Sequence, residues 1–221
     1  MKAAVFHEVG KPLAIETIPD PAPQAGEAVI RVRHCGVCGT DLHATEDHGR
    51  KSGGMVMGHE LTHGFDDSGS QFDPQGRMIP WWSAEIRNKF DEQTACVSAQ
   101  YSGFEVEPGL NVNGDLTLGE NIADIGGAKA AFRAWKAYEA KAPLAPATAS
   151  LTNDQLFWVA MAQGWCTVAS PEYVKTQVMT DPHSPPRFRV NGTAQNLPDF
   201  HTAFQCQPGQ PMRPEKACTV W

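Results

Sequence analysis

The spacing of hydrophobic residues changes along the chain. Near the N-terminus, apolar and β-branched residues alternate with polar ones, which is the pattern of half-buried strands. After about residue 55, apolar residues recur at the period of a helix that packs one face against a core. The chain is therefore predicted to be α+β, with a short β-rich segment before a mainly α-helical one. The three predicted strands cover residues 3–7, 13–18 and 27–33.

Several helices are predicted in the second part. One amphipathic helix has an apolar row with spacings near four, and another covers residues 118–138. Thr152 and Gln155 have the spacing of a capping box, and Ser170 precedes a proline suited to the first helical position, so two more helices begin at these points. The apolar row consists of Trp82, Ile86, Phe90, Val97 and Tyr101.

Composition narrows the class of protein. The 221 residues carry a formal net charge of −7, which disfavours nucleic-acid partners because phosphate contacts need a basic face. The longest apolar stretch, residues 156–162, is much shorter than the ~20 residues of a membrane span. The first residues turn polar too early for a secretory signal. We expect a globular chain without a membrane span.

The six cysteines fall into two groups. Cys35 and Cys38 form a C-x-x-C pair, and such a pair can be a metal ligand set, a redox pair or simply buried. The other four are dispersed over residues 96–218, which is typical of an oxidising compartment. Since no secretory signal accompanies them, the two indications disagree and the localisation stays open.

The segment His59-Glu60-Leu61-Thr62-His63 contains the pattern H-E-x-x-H. Residues four apart share a helical face, so both imidazoles can reach one Zn²⁺ ion. Glu60 then stands beside the ion, where its carboxylate can act as general base toward the attacking water. Because the bare pattern also arises by chance on polar helices, the motif alone leaves both interpretations open.

Glu120 and Asp124 are also four residues apart. A hydrolytic zinc site needs a third protein ligand, which Glu120 can provide. Asp124 can accept a hydrogen bond from a ligand histidine and fix its ring. The alternative is a solvated acidic face, which the apolar and glycine-rich residues 122–127 disfavour.

His183 and Arg189 lie in or next to a proline-rich stretch. Peptide hydrolysis passes through an oxyanion, and a histidine and a guanidinium near the metal can stabilise it or hold the substrate carbonyl. A histidine between prolines is also typical of a surface turn, so the residues alone leave this role open.

Four motifs together resemble the catalytic C-terminal domain of the neprilysin and endothelin-converting-enzyme family. They are G-H-E-L-T-H-G-F-D-D, L-G-E-N-I-A-D-I-G-G, D-P-H-S-P with F-R-V-N-G, and the final C-T-V-W. The resemblance covers residues 58–221 and implies a thermolysin-like peptidase domain with Zn²⁺ as cofactor and peptides as substrates. It implies that His59, His63 and Glu120 bind zinc, Glu60 is the general base, Asp124 is the proton-donating aspartate behind the ligands, His183 stabilises the transition state and Arg189 holds substrate carbonyls.

The resemblance also bears on the cysteines and on activity. It implies a disulfide between Cys96 and Cys218, whereas the family pairs the cysteines matching Cys166 and Cys206 with upstream partners that we do not find here. The family's N-A-Y-Y-type segment and large helical domain are not found either, so we expect impaired substrate positioning. The resemblance points to a secreted, periplasmic or cell-surface protein.

Residues 1–57 resemble a different family, the zinc-dependent medium-chain alcohol dehydrogenases with their GroES-like fold. The resemblance rests on K-A-A-V-F-H-E-V-G-K-P-L, P-D-P-A-P and C-G-V-C-G-T-D-L-H. It implies that Cys38 binds catalytic zinc and that Thr40 and His43 relay a proton. No G-x-G-x-x-G motif follows a strand, so we expect no NAD(P)-binding domain. The two resemblances meet at G-H-E and imply a hybrid chain.

Three functions stay open at this point. The first is a zinc endopeptidase that hydrolyses peptide bonds with a zinc-activated water and Glu60 as general base. The second is a dehydrogenase-like site formed by Cys38, His59 and Glu60. The third is an inactive zinc-binding hybrid whose uncovered apolar surface associates. The sequence does not indicate an oligomeric state.

Overall fold

The computed structural model describes residues 2–5, 14–17, 53–141, 143–145 and 148–220. The chain divides into two compact units, Met1–Gly53 and Gly54–Trp221.

The first unit contains a pair of short strands. β1 (Lys2–Val5) pairs antiparallel with β2 (Ala14–Thr17), with Lys2 opposite Thr17 and Val5 opposite Ala14. These are two of the three predicted strands. One strand pair does not establish a GroES-like fold, which stays an expectation. The predicted strand at residues 27–33 lies outside the described residues, as do Cys35, Cys38, Thr40 and His43.

The rest of the described chain is mainly helical, as predicted. None of its helices is both long and apolar enough to cross a membrane. Short 3-10 turns at His63–Phe65 and Gly69–Gln71 follow the first helix, and β3 (Glu105–Glu107) pairs antiparallel with β4 (Leu110–Asn111). The helices are α1 (Gly53–Thr62), α2 (Ala84–Ser102), α3 (Leu118–Lys141), α4 (Asn153–Gln163), α5 (Pro171–Thr180), α6 (Pro186–Ala194) and α7 (Pro198–Phe204).

Both predicted helix starts are confirmed. At α4 the Thr152 hydroxyl accepts a hydrogen bond from the Gln155 backbone amide, and the Gln155 side chain accepts one from the Thr152 amide. At α5 the Ser170 hydroxyl accepts from the Tyr173 amide, and Pro171 is the first helical residue. These caps satisfy amides that have no partner within the first helical turn.

The backbones of α1 and α3 cross in close contact. A Cβ atom at Gly127 would lie 2.5 Å from the backbone nitrogen of His59, and one at Gly58 would lie 2.8 Å from the carbonyl oxygen of Gly127. Both distances are below van der Waals contact, so only glycine allows this approach. Because Glu120 stands on α3 and His59 on α1, the glycine crossing sets the distance between these two side chains.

The core is built mainly from α2, α3, α4 and α6. Phe90, Val97 and Tyr101 of the predicted apolar row are buried. Trp82 precedes α2 and packs against the core as a partly buried side chain. Ile86 lies in the first turn of α2 and is 56% exposed among the described residues, so the row is covered only from Phe90 onward.

The C-terminal segment is tied to the core. A disulfide joins Cys96 of α2 to Cys218, as the family resemblance implied. Beside it, the buried Asn196 side chain accepts from the Cys218 amide at 2.7 Å and donates to the Gln100 side chain at 2.7 Å. Cys166 is a free thiol in the described chain, as is Cys206.

Candidate metal centre

Two histidines meet where α1 ends. His59 lies on the last turn of α1 and His63 begins the 3-10 turn that follows, so their four-residue spacing places them side by side. Their Nε2 atoms are 3.0 Å apart. His59 is buried, and His63 is partly exposed.

Glu120 completes the group from the first turn of α3. Its Oε2 is 3.2 Å from His59 Nε2, and its Oε1 is 3.5 Å from His63 Nε2. One ligand atom from each of the three side chains lies within 4.8 Å of the others. A tetrahedral zinc ion with bonds of ~2.0–2.1 Å keeps its ligand atoms about 3.3 Å apart. The spacing and the donor types therefore fit Zn²⁺.

A carboxylate stands behind each histidine. Asp124 Oδ1 is 2.9 Å from His59 Nδ1, and Asp66 Oδ2 is 2.7 Å from His63 Nδ1. Asp66 is itself fixed, since its Oδ1 accepts hydrogen bonds from the amides of Ser68 and Gly69. Holding Nδ1 in this way turns each Nε2 toward Glu120. Sequence reasoning assigned no role to Asp66, although an acidic residue three positions after a ligand histidine was a usable signal.

Arg189 from α6 reaches two of the carboxylates of the site, Asp124 and Glu120. Its Nε and one terminal nitrogen donate to the two oxygens of Asp124, each at 2.7 Å, and that terminal nitrogen is 3.4 Å from Glu120 Oε2. The guanidinium also lies over the ring of Trp165, 4.1 Å from its centre. No sequence pattern pointed to Trp165, because its contact with Arg189 joins the segment after α4 to α6.

His183 also reaches the site, from the loop between α5 and α6. Its Nε2 is 3.2 Å from Glu120 Oε1, and its Nδ1 is 2.7 Å from Asp181 Oδ1. The side chain is partly exposed. Glu60 follows His59 on α1 and is also partly exposed. The structure thus gathers His183 and Arg189 around the predicted ligands, rather than leaving His183 in a remote surface turn.

These groups change one another's pKa. Burial lowers the pKa of His59, but hydrogen bonds to Asp124 and Glu120 outweigh it and raise this pKa to about 9. Burial raises the pKa of Glu120, yet His183 and His59 hold it well below its usual range. Burial likewise raises the pKa of Asp124, but the positive charge of Arg189 outweighs burial, and the pKa lies below its usual range. Glu120 and Asp124 therefore favour their ionised forms and a positive charge beside them, as a cation site requires.

Comparison with known proteins links this geometry to peptidases. Peptidase family M13 matches residues 45–220. Human endothelin-converting enzyme 1 is 49% identical over 170 residues, which cover 76% of this chain and 22% of that protein. Neprilysin-1 of Caenorhabditis elegans is 48% identical over 173 residues, which cover 76% and 23%. The chain thus spans less than a quarter of the length of these relatives.

Solved structures agree with the sequence matches. The zinc metalloprotease ZMP1 of Mycobacterium tuberculosis, in complex with an inhibitor, superposes with a TM-score of 0.72 at 33% identity, over 80% of this chain and 28% of that one. PepO from Lactobacillus rhamnosis gives a TM-score of 0.64 at 34% identity, over 76% and 25%. These likenesses support the mainly helical peptidase fold. They lend no support to the dehydrogenase resemblance of residues 1–57.

Proposed function

This chain belongs to peptidase family M13, and we propose that its helical part is the zinc-binding catalytic portion of an endopeptidase that cleaves peptide substrates. One observation carries the proposal. His59, His63 and Glu120 converge at separations of 3.0, 3.2 and 3.5 Å, with a carboxylate behind each histidine. Because the chain spans less than a quarter of its curated relatives, the activity and substrates of the whole protein are part of this proposal.

His59, His63 and Glu120 are the residues that would hold the ion. Two imidazoles and one carboxylate form a ligand set of hydrolytic zinc sites and leave a fourth position for water or substrate. When bound, zinc supplies a Lewis acid that polarises the scissile carbonyl and makes water more acidic. The glycine contact between α1 and α3 and the carboxylates behind the histidines support this set, because they fix the ligands before any ion arrives.

Glu60 is assigned the proton transfers. It stands one residue after a proposed ligand and is partly exposed, so its carboxylate can take a proton from the attacking water and give it to the leaving amine.

His183 is assigned the role of stabilising the oxyanion. Its Nε2 faces Glu120 and points into the site, where it can donate a hydrogen bond to the negative charge that develops on the scissile carbonyl.

Asp124 and Arg189 act behind the reacting groups. Asp124 is buried, accepts two hydrogen bonds of 2.7 Å from Arg189 and has a pKa below its usual range. An ionised carboxylate of this kind is a poor proton donor, which favours an orienting role over the proton-donating role that the resemblance implied. Arg189 would hold substrate carbonyls from the position that Asp124 and Trp165 give it.

A second candidate function is a zinc-binding unit that does not cleave peptides by itself. Exposed apolar side chains favour it. Phe65, Phe72, Met78 and Trp81 are 39–68% exposed in the segment between α1 and α2, where a soluble, self-sufficient domain would cover or avoid them. The dehydrogenase-like alternative has no supporting observation, since Cys38 lies outside the described residues and His59 is engaged by Glu120 and Asp124.

Glu60→Gln separates the candidates. We expect this variant to keep its zinc and to lose at least about 100-fold in kcat/KM for a fluorogenic peptide, because general-base catalysis is removed while the ligands stay. Glu92→Gln, which changes an exposed carboxylate on α2, is the matched control and should retain activity. A Glu60→Gln chain as active as the wild type would refute the mechanism. A wild-type chain that binds zinc and cleaves no peptide would establish the second candidate.

A further inference from the structure

A buried chain of hydrogen bonds joins α3 to the loop at residues 181–185. The Ser184 hydroxyl donates to the side-chain oxygen of Asn121 at 2.8 Å. The Asn121 amide nitrogen donates to the Thr117 hydroxyl at 2.9 Å, and that hydroxyl donates to the carbonyl of Asn113 at 3.0 Å. Ser184 and Asn121 are both 0% exposed, so neither side chain can exchange these partners for solvent.

The position of this chain matters as much as its burial. Asn121 directly follows Glu120, and Ser184 directly follows His183. The bond between Ser184 and Asn121 therefore runs beside the 3.2 Å contact between His183 and Glu120 and connects the same two segments. Asp181 also binds the His183 ring, but it belongs to the same loop and cannot fix that loop to α3.

Core packing alone does not account for these polar side chains. Ile122 and Ile125, the apolar neighbours on α3, are buried, and an alanine at position 184 could fill an apolar site without needing a partner. A buried hydroxyl and amide instead carry a desolvation cost, which the bond between Ser184 and Asn121 offsets together with the bond from Asn121 to Thr117. Such a bond is directional, so it fixes the loop in register as well as in distance.

We propose that Ser184 and Asn121 are positioning residues, whose buried hydrogen bond holds His183 in place against Glu120. The inference rests on the proposed function, since the assigned role of His183 is to meet the developing oxyanion of a peptide. A histidine that stabilises a transition state must be held within a fraction of an ångström. The side-chain hydrogen bond of Ser184, the next residue in the chain, provides that restraint. This restraint does not use the His183 ring itself, because the bond is made by the neighbouring residue.

Ser184→Ala tests the proposal in the zinc-loaded chain. Thr94→Val is the control, because it removes another buried hydroxyl, one that donates to the Asp91 carbonyl of its own helix. With histidines labelled by ¹⁵N, the His183 ring signals are assigned by their loss in His183→Gln. We expect those signals to broaden or shift in Ser184→Ala and to stay unchanged in Thr94→Val.

Peptide kinetics give the second readout. We expect kcat to fall about tenfold in Ser184→Ala with KM nearly unchanged, because only the transition state uses His183. The kcat of the double variant Ser184→Ala/Asn121→Ala should be no lower than that of the less active of the two single variants. His183 ring signals identical to the wild type in Ser184→Ala would overturn the positioning role, whatever the kinetics show. A wild-type chain without peptidase activity would refute the proposed function instead, and the ring signals would still decide this inference.

Discussion

Arg189 and Asp124 form a bidentate ion pair in the interior, with two N–O distances of 2.7 Å between residues on α6 and α3. The Arg189 side chain is only 6% exposed. The same carboxylate binds Nδ1 of His59 at 2.9 Å. The pair therefore joins two tasks: it neutralises a buried guanidinium, and it orients a proposed zinc ligand.

Asp124→Asn should impair both tasks. Removing one partner of a buried pair leaves the other charge uncompensated, so we expect the free energy of unfolding of the zinc-free chain to fall by about 3 kcal/mol. Zinc affinity should fall about 10-fold or more, because His59 loses its orienting carboxylate. Urea denaturation and competitive zinc titration measure the two effects. Glu107→Gln, which breaks the exposed pair with Lys175, should cost less than about 1 kcal/mol; an equal cost for both would contradict the role of the buried pair.

Gly127→Ala should disturb the ligand set from a distance. Its new Cβ would lie 2.5 Å from the backbone nitrogen of His59, and neither backbone can rotate away as a side chain can. We expect a loss of about 2–3 kcal/mol in stability and weaker zinc binding as α1 moves off α3. Gly164→Ala, where the added Cβ meets its nearest atom at 3.4 Å, should cost little. Unchanged zinc affinity in Gly127→Ala would show that the crossing does not set the site.

The disulfide between Cys96 and Cys218 should supply much of the stability. It joins residues 122 positions apart, and closing a loop of about 100 residues removes roughly 4–5 kcal/mol of unfolded-chain entropy in the simplest model. Replacing both cysteines by alanine should lower the free energy of unfolding by about 4 kcal/mol. Cys166→Ala, at an exposed free thiol, should leave stability within about 0.5 kcal/mol of the wild type. Similar values for the two variants would contradict the structure.

Two aspartates should affect the pH dependence of stability in opposite directions. Burial, and then the neighbouring Asp66, raises the pKa of Asp67, whose Oδ1 is buried with no hydrogen-bond partner in the described chain. An acid with a raised pKa in the fold destabilises it once ionised. Asp67→Asn should therefore stabilise the protein at neutral pH, and the gain should vanish as the pH falls below the ordinary pKa of 3.8.

Asp73 provides the opposite case. The hydrogen bond from the Arg77 side chain holds the pKa of Asp73 below its usual range, so its ionised form stabilises the fold above the ordinary pKa and loses this effect as the pH falls through the lowered one. Asp73→Asn should therefore destabilise the protein at neutral pH and have little effect in acid. Urea denaturation across the pH range measures both variants. Changes of the same sign at neutral pH would show that these environments are wrongly assigned.

Local signals in the sequence were sufficient for the earlier helices and for part of the site, but they did not predict α6 and α7, the two helices after residue 181. The caps of Thr152 and Ser170 act within one turn, so their patterns predicted where α4 and α5 begin. The H-E-x-x-H spacing works in the same way, because the last turn of α1 and the 3-10 turn directly after it bring His59 and His63 together. Long-range family motifs were needed to identify Glu120 and His183, since nothing local relates them to α1.

Contacts between distant segments were not predictable. Asn121 and Ser184 are 63 residues apart, and neither belongs to a periodic pattern that predicts the bond between them. Trp165 follows α4 and meets Arg189 of α6, and both of these helices pack against α3. Asp66 gains its role from the 3-10 turn after α1, which hydrophobic spacing does not reveal.

Zinc content per chain tests the central claim most directly. Elemental analysis of the purified protein should give about one zinc per chain, retained in Glu60→Gln and in the surface control Glu92→Gln, and lost in Glu120→Ala. That result would show that His59, His63 and Glu120 form the metal site of this chain. Zinc that persists in Glu120→Ala, or a wild-type chain that binds none, would contradict it.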